Sequence, residues 1–368
     1  MQTVLFHYSV FHRGGAEKST LRMIKAFLKN GWRVKLVLNF KGGTMENELP
    51  PEVEVEHLAN FPIQWYRNIV LRCLFRAIDR LTEPFRFRKY KTQTYDRACI
   101  GLQGLSPHFV CDVVNARKKL IFIRNDISLC ANWEGVVSNI ETYKEAIDQI
   151  ICVSGTVKQS VDTLIPSCAH KAKVVYNIID AADMRAKLDG AMNPYQDTEQ
   201  LKVVSVCRMV DKAKGLFRML RAYDRLYQRG IVFDWYFVGD GADLPKMKDM
   251  TKDKPYREHL HFEGEKKNPF AYYKYADLVA VLSYYEGLCG IVNEAKVSGA
   301  AVIATEFSGI HEQLTHGENG WIVENDEDAI VEGLERLLTD HALRERMQNT
   351  TYPDAILNDD DKIRQILM

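Results

Sequence analysis

The 368-residue sequence has no apolar run approaching the roughly 18 residues that a membrane-spanning helix needs, so none is expected. No charged-then-apolar leader with a small-residue cleavage site follows Met1, which predicts a cytoplasmic protein. The eight cysteines are scattered, without a CxxC pair or metal-ligand spacing, so neither a disulfide framework nor a zinc site is expected. The GxGxxG fingerprint is also absent, which disfavours a nicotinamide dehydrogenase.

The formal net charge is zero, but the charges are unevenly distributed along the chain. Residues 1–180 carry 25 Lys and Arg against 17 Asp and Glu, whereas residues 181–368 carry 24 against 32. This asymmetry indicates two domains that face different partners. No RNA- or DNA-binding signature accompanies the basic half, so nucleic acid is not an expected partner.

The basic excess is concentrated between residues 61 and 91, where eight cations stand against two acids. A helical wheel over residues 65–81 places Arg72, Arg76 and Arg80 opposite an apolar stripe. One interpretation is a helix that docks on anionic lipid, which would hold the protein at the inner face of the cytoplasmic membrane. The other is an ordinary helix that buries the stripe in its own domain. The stripe comprises Val70, Leu71, Leu74, Ile78 and Leu81.

Strands alternate with helices from Thr3–Tyr8 onward, and the alternation restarts at Lys202–Cys207 after a stretch without clear period. Such βαβ units predict an α/β fold with two Rossmann-like doubly wound domains that face each other across a cleft. We place the domains at 1–180 and 201–345, with a linker at 181–200. The other predicted elements are helices Ala16–Asn30, Gly215–Arg229 and Gly290–Ser298, and strands Arg33–Asn39, Ala146–Val153, Val174–Tyr176, Asp234–Val238, Leu278–Leu282 and Ala301–Thr305.

Ligand chemistry is expected where the strands end, because doubly wound sheets bind ligands at their carboxyl edge. Gly14-Gly15 precedes the first helix and Gly239-Asp240-Gly241 follows a later strand, and such glycines let backbone N–H groups approach an anion. A tight turn without a ligand explains such glycines equally well. Arg208, Lys212 and Lys214 surround another strand-to-helix junction, where they suit a pyrophosphate or form a solvated basic turn.

The segment from Ser283 to Ala295 is the most specific one in the sequence. Glu286 lies in a strand-to-helix turn, and Glu294 follows eight residues later inside the helix. A carboxylate at Glu294 can accept two hydrogen bonds from vicinal hydroxyls, as a ribose offers. Otherwise a buried Glu294 would need a salt bridge.

These motifs, in this order and over nearly the whole chain, resemble the group-1 retaining glycosyltransferases (family 4) of the GT-B fold. Any single motif is common, but the ordered set is specific. The set comprises Gly14-Gly15-Ala16-Glu17, Val153-Ser154, Asn177-Ile178-Ile179-Asp180, Arg208 with Lys214-Gly215, Val238-Gly239-Asp240-Gly241, Ala276-Asp277, Glu286-x7-Glu294, Val302-Ile303-Ala304-Thr305, Gly309 with Glu312, and Gly317-Glu318-Asn319-Gly320.

The resemblance implies transfer of a sugar from a UDP- or GDP-sugar to a saccharide or lipid-linked saccharide in surface polysaccharide assembly, without a metal ion or other cofactor. Arg208 and Lys214 would neutralise the diphosphate, Glu286 would bind the sugar hydroxyls and Glu294 the ribose. The segment 346–368 would return to the first domain, as in relatives. The remaining donor-binding residues would be Gly14, Gly15, Asn177, Lys212, Gly239, Asp240, Gly241, Gly287, Leu288, Cys289, Gly290 and Ile291.

Several positions depart from the family pattern. Arg208 and Lys214 are one residue further apart than usual, which lets Lys212 share the phosphate role, and Cys289 narrows the sugar pocket. Arg124 stands where many relatives carry a histidine beside the donor sugar, and with Asp126 it would face the acceptor or the sugar. An arginine there leaves open an unusual donor, a different acceptor geometry or a weakened enzyme. Arg124 therefore makes a non-catalytic sugar-nucleotide-binding partner one alternative, and a GT-B-fold nucleotide-sugar epimerase is another.

One further pattern, Asp326-x-Asp328, matches a metal-binding DxD motif. We interpret it instead as the acidic first turn of a helix, where negative charge complements the helix dipole.

Overall fold

The chain divides into two units, each built on one parallel β-sheet, in a computed structural model that describes residues 1–12, 14–67 and 69–367. The first unit comprises Met1–Ile178 together with Asp359–Met368, and the second comprises Ile179–Asn358. Within the described residues, no helix is long and apolar enough to span a membrane.

The first unit has a seven-stranded sheet with the order β3-β2-β1-β4-β5-β6-β7. Its central strands each contain a run of consecutive buried residues, because helices cover both faces of a parallel sheet and alternation is lost. The edge strand β3 carries only one apolar side chain, Val55, and its acids pair with Lys35 on β2. The strands are β1 (Thr3–Tyr8), β2 (Arg33–Leu38), β3 (Glu54–His57), β4 (Tyr95–Ile100), β5 (Ala116–Ile123), β6 (Gln149–Cys152) and β7 (Ala172–Val174).

Four helices of this unit precede the boundary. The expected helix over 65–81 differs from the observed one, because a short 3₁₀ turn over Ile63–Arg67 comes first and the α-helix then continues past Pro84. Phe87 and Tyr90 beyond the proline pack on Phe109, which explains why the helix extends that far. The helices are α1 (Gly15–Lys29), α2 (Ile69–Thr92), α3 (Trp133–Thr142) and α4 (Gly155–Leu164).

The second unit has a six-stranded sheet with the order β10-β9-β8-β11-β12-β13. Counted from its own first strand, this is the order 3-2-1-4-5-6 of a doubly wound fold. Its order reverses between β8 and β11, so the crevice outside the carboxyl ends of these two strands is the expected ligand position. The strands are β8 (Lys202–Val206), β9 (Asp234–Val238), β10 (Leu260–Gly264), β11 (Leu278–Val281), β12 (Val302–Thr305) and β13 (Trp321–Val323).

The helices of the second unit begin inside the predicted linker. Asp180 caps the first of them from a left-handed conformation, so residues 181–200 are not merely a connection. Asp326 caps another by accepting a hydrogen bond from the Ala329 N–H (2.9 Å), which confirms the helical interpretation of Asp326-x-Asp328. The helices are α5 (Ala181–Leu188), α6 (Asp211–Lys214), α7 (Leu216–Gln228), α8 (Leu244–Thr251), α9 (Phe270–Tyr275), α10 (Gly290–Val297), α11 (Ile310–Gln313), α12 (Glu327–Thr339), α13 (His341–Met347) and α14 (Asp354–Leu357).

The last helix, α15 (Asp359–Leu367), belongs to the first unit, whereas the residues before it belong to the second. Ile363 and Ile366 enter the core of the first unit. The buried Lys362 ammonium donates to the Asn177 carbonyl (2.9 Å) and pairs with Asp359 (2.7 Å). Apolar burial and this hydrogen bond hold the helix on the first unit.

Candidate active site

The motif residues of the second unit meet where its strand order reverses. Arg208 follows β8, and Glu286 lies in the loop between β11 and α10. Lys214 ends the short helix α6, just before Gly215. Gly215 has φ of 66°, and a Cβ there would lie 2.8 Å from the Leu282 carbonyl oxygen, so the tight turn between α6 and α7 requires glycine.

Lys214 and Glu286 form an ion pair at these strand tips. The Ser283 hydroxyl donates to the same Glu286 Oε1 (2.9 Å), and the three side chains line one small cavity with Cys207. Burial disfavours the charged ammonium, but the charge of Glu286 outweighs it, so the pKa of Lys214 is raised. The structure thus brings together two residues that the sequence separates by 72 positions.

Arg208 and Lys212 are both exposed, in contrast to Lys214. Their segment is held by backbone contacts with the loop after β9, since the Met209 N–H donates to the Asp240 carbonyl (2.9 Å). The Asp211 N–H donates to Asp243 Oδ2 (2.8 Å), which fixes the start of α6. The backbone is therefore well positioned, while the two cations remain open to an anionic ligand.

The predicted glycines of the β9 loop serve close backbone packing. A Cβ at Gly239 would lie 1.9 Å from the Cys207 carbonyl oxygen, and one at Gly241 would lie 2.5 Å from that of Met209. The Gly239 N–H donates to the Gly264 carbonyl (2.8 Å), and the Gly241 N–H donates to Asp240 Oδ1 (2.7 Å). These two N–H groups are already engaged, so the loop shapes the site rather than presenting them as anion donors.

Glu294 lies on α10 and is 7% exposed. Its Oε2 accepts a hydrogen bond from the Tyr273 hydroxyl on α9 (3.1 Å). Burial and the neighbouring Glu294 charge raise the pKa of Tyr273 well above its ordinary value, so its hydroxyl stays a donor. The carboxylate is thereby oriented by a neutral partner.

The residues between the two glutamates form the loop that enters α10. Gly287, Leu288 and Cys289 are buried, Gly290 is exposed and Ile291 is half-buried. The N-cap residue Cys289 makes no capping side-chain hydrogen bond, and the first turn of α10 contains no acidic residue. Unpaired N–H groups of a helix's first turn attract anions.

Gln313 on α11 is a residue of this loop's framework that the sequence analysis missed. Its side chain accepts from the Cys289 N–H (3.0 Å) and donates to the Cys289 carbonyl (2.9 Å). Burial raises the pKa of the Cys289 thiol to about 12, so Cys289 is a neutral packing group. No sequence signal marks Gln313, because its partner is a backbone 24 residues away.

Tyr284 is a second feature that the sequence analysis missed. The buried Arg218 guanidinium lies 3.9 Å from the centre of the Tyr284 ring, which is partly exposed at the strand tips. The Arg218 side chain also donates to the Leu282 carbonyl (2.6 Å) and to Asn325 Oδ1 (2.6 Å). These contacts fix the position of the Tyr284 ring at the start of the loop between β11 and α10.

In the first unit, Gly14 is the N-cap of α1 and Gly15 is its first residue, so the helix begins one residue before the predicted Ala16. Gly14 caps the helix in an extended conformation without a side-chain hydrogen bond. The Glu17 carboxylate lies so close that a Cβ at Gly14 would be 2.3 Å from it. A negative charge therefore already stands in the first turn, where the sequence suggested an anionic ligand.

Arg124 is 6% exposed, and its guanidinium is engaged within the first unit. Nε donates to the Gly101 carbonyl (3.3 Å), and Nη2 donates to the Thr20 hydroxyl (2.9 Å). Nη1 donates to the Ser19 hydroxyl (3.0 Å) and to Asn177 Oδ1 (2.8 Å). These contacts correct the expectation that Arg124 offers its charge to a sugar or acceptor, because four of its five N–H groups bond to three other segments of the first unit.

The other two predicted residues of this unit also have structural contacts. Asp126 caps a 3₁₀ turn by accepting from the Ser128 N–H (2.9 Å) and hydroxyl (2.6 Å). Asn177 receives hydrogen bonds from Arg124, from the Ser19 hydroxyl (2.8 Å) and, at its carbonyl, from Lys362. Asn177 therefore ties the end of this unit to its core.

Replacing Arg124 by alanine is expected to lower the free energy of unfolding by about 3 kcal/mol, because several buried acceptors lose their donor. Arg124→Lys should restore little of this stability, because one ammonium cannot reach all the acceptors that the planar guanidinium spans. Urea unfolding of the full chain measures both. The exposed Arg117 is the matched control, and its alanine variant should cost less than about 1 kcal/mol. A stable Arg124→Ala protein with impaired substrate binding would restore the sugar-facing role.

Arg72, Arg76 and Arg80 are exposed on α2, as both interpretations of this helix expected. The apolar stripe, however, is not buried: Leu71, Leu74 and Leu81 are exposed and Ile78 is half-buried. The interpretation that α2 buries this stripe in its own domain is therefore wrong. The side chain of Val70, the fifth predicted member, lies outside the described residues.

The sequence is similar to a known protein family and to individual glycosyltransferases. Residues 193–353 match the family model described as glycosyl transferases group 1. A lipopolysaccharide core biosynthesis glycosyltransferase of Rhizobium meliloti is 24% identical over 359 residues, which cover 94% of this chain and 92% of that protein. An uncharacterized glycosyltransferase of Methanocaldococcus jannaschii is 27% identical over 226 residues, which cover 59% of this chain but only 57% of that protein.

A solved structure supplies the fold comparison. The crystal structure of Anabaena HepE in complex with UDP and glucose has a TM-score of 0.72 and 17% identity, covering 100% of this chain and 97% of that one. At this identity the likeness speaks for the fold. It confirms the GT-B class expected from the sequence, with two Rossmann-like units.

Proposed function

We propose that the chain is a group 1 glycosyltransferase, which transfers a sugar from a nucleoside-diphosphate sugar to a hydroxyl with retention of the anomeric configuration. The observation that carries the proposal is the half-buried Lys214–Glu286 pair, which lies with the buried Ser283 at the strand tips where the sheet order reverses. This site combines a cation for a phosphate with a carboxylate for sugar hydroxyls.

The cations would stabilise the leaving group. As the glycosidic C–O bond breaks, negative charge builds on the diphosphate and the sugar becomes oxocarbenium-like. The exposed Arg208 can meet that charge as a planar fork, with Lys212 beside it in the same segment. Lys214 would bind the diphosphate and release Glu286 to the donor's hydroxyls. Protein cations would then serve where other transferases use a metal ion.

The remaining donor contacts would come from α10 and the loop before it. Glu294, oriented by Tyr273, would accept hydrogen bonds from the ribose diol. The uncapped first turn of α10, from Gly290, supports the diphosphate position, and Gly287 to Cys289 would line the sugar. UDP is the first donor base to test, because HepE is described in complex with UDP and glucose.

The acceptor would be a saccharide or lipid-linked saccharide of a surface polysaccharide. The Rhizobium meliloti relative, named for lipopolysaccharide core biosynthesis and aligned over 92% of its length, supports this class of acceptor. The alternative of a non-catalytic partner rested on Arg124. Because that side chain is engaged within the fold, its presence no longer argues for a weakened enzyme.

The test uses the full chain with a panel of UDP- and GDP-sugars, nucleoside monophosphates and NAD. At a hundredfold excess over its Kd, the correct donor should stabilise the protein by about 2.7 kcal/mol and raise its melting temperature by a few degrees. NMR with a saccharide acceptor should then show a new linkage of the donor's anomeric configuration, formed equally in the presence of EDTA. Epimerised donor without transfer, or no response to any nucleoside diphosphate, would contradict the proposal.

A further inference from the structure

Helix α2 leaves an apolar stripe uncovered, here termed the outer stripe. Its members lie at positions i, i+3, i+10 and i+14, so they follow one side of the helix over about 21 Å. All four side chains are at least 41% exposed, so the domain does not bury the stripe. The outer stripe consists of Leu71 (41% exposed), Leu74 (55%), Leu81 (75%) and Phe85 (82%).

A separate side of α2, between the outer stripe and the arginines, is held on the first unit by an aromatic cluster. Phe75 is buried, and its ring centre lies 4.4 Å from that of Phe61 and 5.7 Å from that of Trp65. Tyr66 packs against Phe75 edge-on at 5.8 Å. Aromatic packing therefore selects Phe75, rather than the leucines, as the contact between the helix and its domain.

Polar contacts fix the same orientation at two more turns. Asp79 accepts hydrogen bonds from the Tyr66 hydroxyl and from the Asn60 backbone and side chain (both 2.9 Å). Further along, Glu56 on β3 pairs with Lys89 (2.7 Å) and accepts from the Tyr90 hydroxyl. Rotation of α2 to bury the outer stripe would break all of these contacts.

The exposed arc of α2 also carries strong positive charge, on the side opposite the outer stripe. Arg72, Arg76 and Arg80 recur every four residues along the arc, so they form a row. Arg88 and Lys91 extend the exposed positive charge toward the helix end. The helix's two acids, Asp79 and Glu83, offset this charge only in part, because α2 carries seven Lys and Arg and Asp79 pairs with Arg86 (3.6 Å). Trp65, 48% exposed, adds an amphipathic ring beside the helix.

We infer that the exposed arc of α2 docks on an anionic phospholipid surface, with the outer stripe inserted at the headgroup–acyl boundary and the arginine row on the lipid phosphates. Apolar insertion and attraction to anionic lipid together give the affinity of such interfacial helices. The charge row favours lipid over a second copy of the chain, whose own arginines would repel it. The inference deepens the proposed function, since it places the enzyme where a lipid-linked acceptor would be.

Co-sedimentation with vesicles tests the inference without donor or acceptor. The wild type should bind phosphatidylcholine vesicles that contain phosphatidylglycerol, bind pure phosphatidylcholine poorly, and lose affinity as salt rises. Reversing Arg72, Arg76 and Arg80 to glutamate should lower the affinity about 100-fold or more. Leu74→Ser, Leu81→Ser and Phe85→Ser together should abolish sedimentation. Because these side chains are exposed, circular dichroism and the melting temperature should match the wild type.

Matched controls come from the same unit. Lys25 and Lys29 on α1 and Arg33 on β2 are exposed, so their reversal to glutamate changes the net charge equally and should cost much less affinity. An equal loss in this control would mean that charge alone drives binding, which would overturn the assigned surface. Absence of wild-type binding, or dimerisation through the outer stripe in place of vesicle binding, would also overturn it.

Activity separates this inference from the proposed function. With a water-soluble acceptor, the α2 variants should transfer sugar at the wild-type rate. Full vesicle binding by a protein that transfers no sugar would leave docking intact and refute the proposed function. Normal sugar transfer by a protein that binds no vesicles would support the proposed function and refute docking.

Discussion

Replacing Arg208 by alanine is expected to slow sugar transfer about 100-fold while changing donor affinity much less. The side chain is exposed at the tip of β8, so the substitution should leave stability within about 0.5 kcal/mol of the wild type. A cation that meets charge as it develops on the departing diphosphate lowers the barrier more than it strengthens the ground state. Single-turnover rates and donor Kd, measured separately, give the two effects.

Two alanine variants serve as controls for Arg208. Lys212 lies in the same segment, and a smaller loss of rate there would mean that it shares the diphosphate role. Arg225 is paired with Asp328 on the surface of α7 and α12, so its variant should transfer normally. An Arg208→Ala protein that loses donor affinity and rate equally would reduce Arg208 to a ground-state contact. Lys214 gives a less clean test, because its removal leaves Glu286 charged and poorly exposed.

Replacing Glu294 by alanine is expected to weaken nucleoside-diphosphate binding about 100-fold, because two hydrogen bonds from ribose hydroxyls to a carboxylate are lost. Titration calorimetry with UDP and with 2′-deoxy-UDP measures the effect. In the wild type the deoxy nucleotide should bind more weakly, whereas in Glu294→Ala both nucleotides should bind alike. This comparison isolates the contact between Glu294 and the ribose from general damage to the site.

The matched control for Glu294 is Tyr273→Phe. This change removes the hydroxyl that orients the carboxylate but leaves the carboxylate itself, so the preference for UDP over its deoxy form should survive. If Glu294→Ala still distinguishes the two nucleotides, another residue binds the ribose. Because Glu294 is nearly buried, the melting temperature of each variant must be measured alongside.

Elements built from uninterrupted apolar runs could be predicted from sequence to within a residue or two. β1 and β9 begin and end at the predicted residues, and α7 differs by one residue at each end. β1 and β9 are interior strands of their sheets and α7 buries one face, so their own composition reports their burial. Edge strand β3 could not be predicted in this way, because its glutamates are satisfied by Lys35 on the neighbouring strand.

Some residues of the candidate site could likewise be predicted from the sequence, and others could not. The spacing of Glu286 and Glu294 and the cations after β8 were visible because strand-to-helix turns carry the chemistry of this fold class. The contacts of Gln313 and Arg218 were not, because each depends on backbone brought close from a distant segment. Arg124 could not be assigned from sequence either. Its residue type suggested contact with a ligand, whereas its hydrogen bonds join it to Asn177 and Thr20 of the same unit.

The amino-acid sequence by itself determined the α/β class, the order of the motifs and the positive, amphipathic character of α2, because these follow from local periodicity and residue type. Only the tertiary structure decided that Lys214 is paired with Glu286, that Arg124 is consumed inside the first unit and that α2 turns Phe75 rather than its leucines inward. Each of these outcomes is a competition between distant partners for one side chain. The type of a residue limits the contacts that its side chain can make, and tertiary packing decides which of those contacts forms.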